Sequence, residues 1–313
     1  MNASIQRQIT NSLSLTTAFV GAYGHGLPLN RDLNYPIWNS TATTKNVNAR
    51  RPIDTNTVAQ IFQTESNQTS SYNALQIIAE QRTSHGISFR AYYTYSKNLD
   101  SLPVYGVNAN VVPQDYNNLW EDRGRSPFDQ RNMFVGSAVW DFNYWHGNNL
   151  IMRKALNGWE ISPIVTLRSG TPLAFQTGAD NNADGNLSDR PNFVPGQVAK
   201  LDPHRGRTLV ASEWFNPAAF QPNGSGGIGP GEADGNVPIS YLDAPGYRDV
   251  DMGVFRDFRI QERYVLQMRL ESINFFNMVS LSPPTSTLTS DLFGAIRSAK
   301  SMRQIQLGAR ITF

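Results

Sequence analysis

In segment after segment of the chain, apolar positions return every second residue, the period of a strand with one apolar face. The last segment is the clearest. Ile305, Leu307, Ala309, Ile311 and Phe313 fall on one face, and Gln304, Gln306, Gly308, Arg310 and Thr312 on the other. Upstream, Leu266, Met268 and Leu270 alternate with Gln267, Arg269 and Glu271. Val250, Met252, Val254 and Phe258 alternate with Asp249, Asp251, Gly253 and Asp257, and the polar break Ile260 to Arg263 joins the two segments as a hairpin. A second hairpin runs from Leu75, Ile77 and Ala79, through the turn Thr83-Ser84-His85-Gly86, into Ile87, Phe89, Ala91, Tyr93 and Tyr95. Segments 3–9 and 12–23 pair around Thr10-Asn11, 130–143 reads as a strand of ambiguous facing, and 159–168 alternates through Trp159, Ile161, Val165 and Leu167. The sum is about nine strands, each near the ten residues that a tilted strand needs to cross a bilayer. No segment has a convincing 3.6-residue period.

The connections alternate in length. Those after Ile9, Arg82 and Ile260 are short and the one near 144–157 is moderate. Those at about 24–71, 99–129, 173–246 and 277–301 are long and rich in Gly, Pro, Asn, Asp and Ser. Counted back from Phe313, every long loop falls on one rim, the organisation of an outer-membrane barrel. Aromatic residues follow both rims: Tyr144, Trp145, Trp159, Phe258, Tyr264 and Phe313 at the short-turn ends, and Tyr93, Tyr95, Phe275 and Phe276 at the long-loop ends. Two such belts are expected where a barrel wall meets the headgroup layers, although strands favour aromatics in any setting. Arg90, Glu80, Arg269, Glu271, Asp251 and Arg310 lie on the opposite faces, as a wet lumen requires.

Composition narrows the choice. The 313 residues carry 27 basic and 25 acidic side chains, a net charge of +2, which argues against nucleic acid as a partner. There is no cysteine, hence no disulfide frame, thiolate metal site or cysteine nucleophile. Mean hydropathy is −0.40 and no apolar run approaches the ~18 residues of a spanning helix, which excludes a helical membrane protein but not a barrel. Met1 to Asn11 has no basic and then apolar stretch of a secretory signal.

Several segments resemble the carboxy-terminal barrel of TonB-dependent outer-membrane receptors, in particular the Oar-like group. They are Tyr72–Asp100 (YNALQIIAEQRTSHGISFRAYYTYSKNLD), Leu156–Pro172 (LNGWEISPIVTLRSGTP), Asp189–Asn192 (DRPN), Ala244–Phe258 (APGYRDVDMGVFRDF), Arg269–Asn277 (RLESINFFN) and Phe293–Phe313. The fold class expected for residues 1–313 is therefore all-β, the carboxy-terminal portion of a transmembrane antiparallel β-barrel with long extracellular loops. The resemblance implies energy-coupled solute uptake and a location in a Gram-negative outer membrane. It also implies a 22-stranded barrel with a plug and a TonB box, neither of which these residues contain. An odd count of nine leaves an edge that hydrocarbon does not tolerate, so the reading is of the last portion of a receptor, its signal peptide upstream. Partners follow: outer-membrane lipid, the barrel-assembly machinery through the terminal signal Ile305, Leu307, Ala309, Ile311 and Phe313, an unknown solute, and TonB only through upstream parts. A passive porin-like or structural barrel and a secreted soluble β-sandwich adhesin are the competing readings. Pro163 removes a ladder donor from a central strand, so a bulge is expected there.

Candidate chemistry is sparse. Tyr105, Tyr116 and Trp120 share the 99–129 loop, where they either stack on a sugar or siderophore or pack on the loop itself. Asp180, Asn182 and Asp184 form D-x-N-x-D-G, the start of a calcium loop, but its twelfth position is Pro191 instead of a bidentate Glu. A turn rich in Asn and Asp is the plainer reading, with calcium the one candidate cofactor. The Gly224–Gly229 run satisfies G-x-G-x-x-G but lacks a strand before and a helix after, so it reads as a loop. His25, His85, His146 and His204 are isolated, Arg50-Arg51 and Arg205-Gly206-Arg207 read as solvated basic pairs, and no catalytic constellation appears, so no enzyme is expected.

Overall fold

Antiparallel hydrogen-bonded strands, each paired with the next long strand of the chain, build the structure. It is a computed structural model that describes residues 1–53, 58–101, 113–143, 145–187, 189–223, 234–260, 264–300 and 302–313. The strands are β1 (Asn2–Gln8), β2 (Leu13–Asp32), β3 (Phe62–Ser84), β4 (Ile87–Asp100), β5 (Gly124–Arg125), β6 (Asn132–Phe142), β7 (Trp159–Arg168), β8 (Asn192–Phe193), β9 (Phe220–Gln221), β10 (Tyr247–Ile260), β11 (Tyr264–Ile273) and β12 (Gln304–Thr312). Among the described residues the wall is one sheet in the order β1-β2-β3-β4-β6-β7-β10-β11-β12, with β5 on β4 and β8–β9 paired apart from it. The nine long strands are the nine of the alternation pattern.

The register resolves which face each side chain shares, because directly opposed residues project to the same side. One row runs Leu167, Phe134, Tyr93, Ile77, Thr17, Ile5, and another Leu307, Leu270, Val254, Ile161, Trp140, Ile87. The facing of 130–143 is thereby settled, with Phe134, Trp140 and Phe142 on the apolar side. The opposite side carries Ser14, Glu80, Arg90, Ser137, Ile164 and Asp251 in one row, and Glu80 pairs with Arg90 at 3.0 Å. Met268, Ile311 and Leu307 are 47%, 65% and 75% exposed, so among the described residues no protein core covers the apolar face there. Phe89 is half-buried among its strand neighbours. An apolar face with nothing packed on it is what a lipid-facing wall requires.

Three expectations change. Pro163 makes no bulge. It pairs with Met252 in unbroken register, while the β6 ladder drops the pairs at Ala138 and Val139 and resumes in the same register at Trp140–Ile161. The ring's missing donor costs local pairing without adding a residue. Secondly, 24–32 and 62–71 are not loop: β2 and β3 remain paired out to Asp32–Phe62. Register shifts at His25/Leu27 and Leu27/Pro28, with Gly26 at φ +66°, bend this hairpin, and the polar run 63–71 hides its period. At 20 and 23 residues the two strands are about twice the span a bilayer needs, so the outer half stands beyond the wall. Thirdly, the moderate connection holds a helix, α1 (Leu150–Leu156), whose N-cap Asn149 accepts from the amides of Ile151 and Met152. Seven residues are too few to reveal a helical period.

At the short-turn rim, the Ala155 carbonyl of α1 accepts from Trp159 Nε1 at 2.9 Å and from Arg256 Nη1 at 2.8 Å. The Arg256 guanidinium lies 4.6 Å over the Trp159 ring and 4.7 Å over Phe258, so a cation on the apolar face is held among rings of the expected belt. Trp145, Tyr264 and Phe313 occupy the same rim, and Tyr144 lies outside the described residues. The turn between β3 and β4 is His85-Gly86 with φ 50° and 75°, the left-handed pair of a tight hairpin, whereas 261–263 lies outside the described residues.

The protein's hydrophobic core lies in the long connections. Leu173, Phe175, Ala199, Phe215, Ala219, Phe220, Val237 and Ala244 are buried together, with Phe193, Trp214, Leu242, Leu288 and Phe293 packed against them. Phe175 stacks on Phe220 at 4.8 Å, and Phe215 meets Phe293 edge-on at 4.9 Å. The described residues of segments 173–246 and 277–301 thus form a folded cap, which includes α2 (Arg207–Ser212).

Two outcomes follow. Met268→Arg, near mid-strand on the apolar face, should cost about 2–4 kcal/mol, and Gln267→Arg on the other face less than about 0.5, as read from unfolding in lipid micelles. Phe215→Ala should destabilise the cap by about 3–5 kcal/mol while leaving the wall intact, as read from amide exchange at Trp214 and Gly294 against that of β11.

Candidate functional site

Where the long hairpin ends, buried ionic and polar groups turn the chain back on itself. Asp32, 3% exposed, accepts from the amides of Asn34 and Ile61 through Oδ1 and pairs with Arg51 Nη1 at 2.8 Å through Oδ2. Asn34 donates to the carbonyls of Ile53 and Ala59 and accepts from the Ile53 amide. Arg50 donates to Asn46 Oδ1, Ile37 O and Ala183 O, all neutral acceptors. The Arg50-Arg51 pair is therefore not solvated. Its residues are 9% and 6% exposed, because each guanidinium serves as a multidentate clamp that water would serve less rigidly.

The DRPN segment is the second joint. Asp189 Oδ2 accepts from the amides of Asn181 and Asn182, fixing the D-x-N-x-D-G turn above it. Arg190 donates through Nε to Gln114 Oε1 and through Nη1 to Glu121 O, and its Nη2 lies 3.7 Å from Asp122. Gln114 also accepts from the Gly235 amide, where a Cβ would overlap the Arg190 carbonyl, so glycine permits the close approach.

These joints leave a cavity of about 480 Å³ on the long-loop side, lined by Arg31, Asp32, Tyr35, Trp38, Arg50, Asp115, Tyr116, Asn182, Asp184 and Asp234 among others. Tyr35 donates to Asp184 Oδ2 at 2.9 Å and meets Tyr116 edge-on at 5.2 Å. Tyr116 is 2% exposed, and its hydroxyl, against the Asp32 backbone, makes no hydrogen bond. Burial, followed by Asp184, pushes the Tyr35 phenol up, and burial, followed by Asp32, pushes up that of Tyr116, so both stay neutral donors. Burial also raises Asp184, lifts Asp189 to about 6 and, with Asp115 and Glu121 nearby, lifts Asp234 to about 7.

Comparison with known proteins agrees with the wall. A family model described as "Outer membrane beta barrel domain" matches residues 1–306. The chain belongs to this family. No curated protein matches it. Among solved structures, the outer membrane transporter YddB from Escherichia coli is similar with TM-score 0.47 and 8% identity, covering 99% of this chain and 32% of that one. The ferric-catecholate import receptor Fiu from E. coli K12 gives 0.45 and 11%, covering 99% and 27%. P. aeruginosa FpvA, bound to a pyoverdine and iron, gives 0.44 and 8%, covering 99% and 26%. The barrel domain thus spans a third or less of the length of these chains.

Of the two described members of the aromatic trio, the barrel domain brings Tyr116 into the cavity and not Trp120. Trp120 stands 73% exposed with Arg123 5.0 Å over its ring, and Tyr105 lies outside the described residues, as does the Gly224–Gly229 run. Asp180, Asn182 and Asp184 turn side-chain oxygens onto backbone amides: Asp180 onto Asp184 and Gly185, Asn182 onto Asp184, and Asp184 onto Asn186. Among the described residues no three Asp, Glu or His side chains gather as a metal cluster. Ile305, Leu307, Ala309, Ile311 and Phe313 form the exposed outer face at β12, on a strand with a partner on one side only in the described sheet. Tyr35, Trp38, Asp115 and Asp234 were not anticipated. They come from segments far apart in sequence and carry no local motif; only the Asp32-to-Trp38 cluster of Asp, Tyr and Trp hinted at them.

The raised carboxyls set a pH dependence. Asp189 and Asp234 hold protons in the folded cap that the unfolded chain, with carboxyls near 3.8, has released. Their contribution is fully present below about pH 4 and lost as pH rises through 6 and then 7. Amide exchange at Asn181 and Asn182, corrected for intrinsic rate, should therefore be slower at pH 5 than at pH 8, and Asp234→Asn should flatten the upper half of that change.

Proposed function

We propose that this barrel domain is the wall and extracellular face of a TonB-dependent receptor, Oar-like in its segments, that captures a solute for energy-coupled uptake. The observation that carries the reading is the folded cap. A diffusion pore needs no phenylalanine core outside the membrane, whereas a receptor needs a rigid scaffold that holds a ligand-sized cavity over the long-loop rim. The quoted segments support it further, since DRPN is the joint that ties the 177–190 turn to the 113–123 segment. Ionic pairs such as Arg90–Glu80 line the polar face of the wall, as a hydrated lumen requires. Coupling to the proton gradient would pass through a plug and TonB box outside these residues, so the chain's own part is to bind and to enclose. The reading has no catalytic role in it.

The test is uptake in cells that carry or lack the whole gene, grown under solute limitation. Accumulation should fall in the deletion strain and, in the parent, should collapse on adding a proton uncoupler. Accumulation that depends on the gene but ignores the uncoupler, together with steady open-channel conductance in planar bilayers, would make the protein a passive porin.

A further inference from the structure

We propose that the cavity between the Asp32–Trp38 turn, Asp115-Tyr116, Asp184 and Asp234 binds a small organic cation, a solute bearing an ammonium or guanidinium group. The inference deepens the uptake reading and rests on it for the fate of the ligand, though not for binding itself.

Charge is the first argument. Four carboxylates line the cavity, and Arg51 neutralises Asp32 alone. Arg50, bonded only to neutral oxygens, balances one of the remaining three, and Arg31 faces Glu65 at 3.7 Å. The cavity is thus left acidic, with Asp234 held, among the described residues, by one Asn182 amide at 3.2 Å. A carboxyl such as Asp234, held from ionising by burial and then by Asp115 and Glu121, gains from a cation placed beside it.

The orphan hydroxyl is the second and independent argument. Tyr116 lines the cavity and is buried, and its Oη lies against the Asp32 backbone without reaching hydrogen-bonding geometry, although an unsatisfied buried hydroxyl costs about 1–3 kcal/mol. A ligand group that accepts or donates there would remove that penalty. Aromatic walls are the third argument: the crossed rings of Tyr35 and Tyr116 and the neighbouring Trp38 favour a cation beside them. Size excludes a bare ion. About 480 Å³ suits a small molecule, and the oxygens of Asp180, Asn182 and Asp184 already serve backbone amides.

Calorimetry on the full-length receptor in detergent at pH 8, with tyramine, agmatine and tyrosol as probes, tests the inference; tyrosol replaces the tyramine ammonium with a hydroxyl. Tyramine or agmatine should bind at least tenfold tighter than tyrosol, and Asp234→Asn should weaken the cation at least tenfold while leaving tyrosol unchanged. Should that variant fail to fold, Asp115→Asn carries the same expectation. Tyr116→Phe should weaken binding several-fold while the empty cap becomes no less stable, the opposite of what a merely structural tyrosine would give. Equal affinity for all three probes, an indifferent Asp234→Asn, or calcium alone displacing the bound cation would each overturn the proposal. Cation binding without uncoupler-sensitive uptake would leave the pocket standing and remove the transport reading; uptake without cation preference would do the reverse.

Discussion

Inside hydrocarbon, a backbone amide or carbonyl has only other backbone to bond, and each unmet group costs several kcal/mol. That constraint orders everything in the wall. It requires each long strand to pair along its length, which the meander order supplies with the fewest crossings. It also explains how the wall treats its one awkward residue. Pro163 cannot donate, and the ladder drops two pairs and resumes without a register change. A slip of one residue would have turned Phe134 and Trp140 into the lumen and Ser137 and Asp141 into lipid.

Once the backbone is satisfied by pairing, side chains within the wall have little to bury. The apolar row stays bare for lipid and the polar row faces its own pairs, so the buried core has to form where the chain leaves the ladder. There water is present and the ordinary hydrophobic drive returns. The phenylalanines of the cap act on that drive, while the buried joints at Asp32–Arg51 and at Arg190 set its geometry more than its stability. Buried ion pairs of this kind fix an arrangement at little net gain in free energy. An arrangement that must hold a cavity open has use for that trade.

The wall was legible in the sequence because its physics is local. A period of two is written in neighbouring residues, and the alternation of Ile305 to Phe313 or Leu266 to Glu271 is readable with no knowledge of the partner strand. The outer half of the long hairpin was not, since both of its faces meet water and the run Gln63 to Ser71 has no reason to alternate. The buried state of Arg50 and Arg51 was likewise hidden. Their acceptors are an Asp at the end of a strand and carbonyls as distant as Ala183, and nothing in a pair of arginines says whether such acceptors exist. DRPN stood out as a motif, but its work as a joint became apparent only with Gln114 and the amides of Asn181 and Asn182 in place.

The same contrast bears on where a ligand site can arise in such a protein. A strand residue in the wall has two fixed alternatives, outward or inward, and its neighbours are set by register. A site drawn from Tyr35, Asp115, Asp184 and Asp234 needs segments more than a hundred residues apart to converge, which ladder geometry forbids and folded loops allow. Convergence has a cost of its own: crowded carboxyls, a phenol without a partner, a glycine that can accept no side chain at 235. A packed core under selection for stability alone would shed those features, since replacing Tyr116 with phenylalanine removes one of them without loss of volume. Beside a cavity, the first two of these costs are ones that a bound ligand relieves.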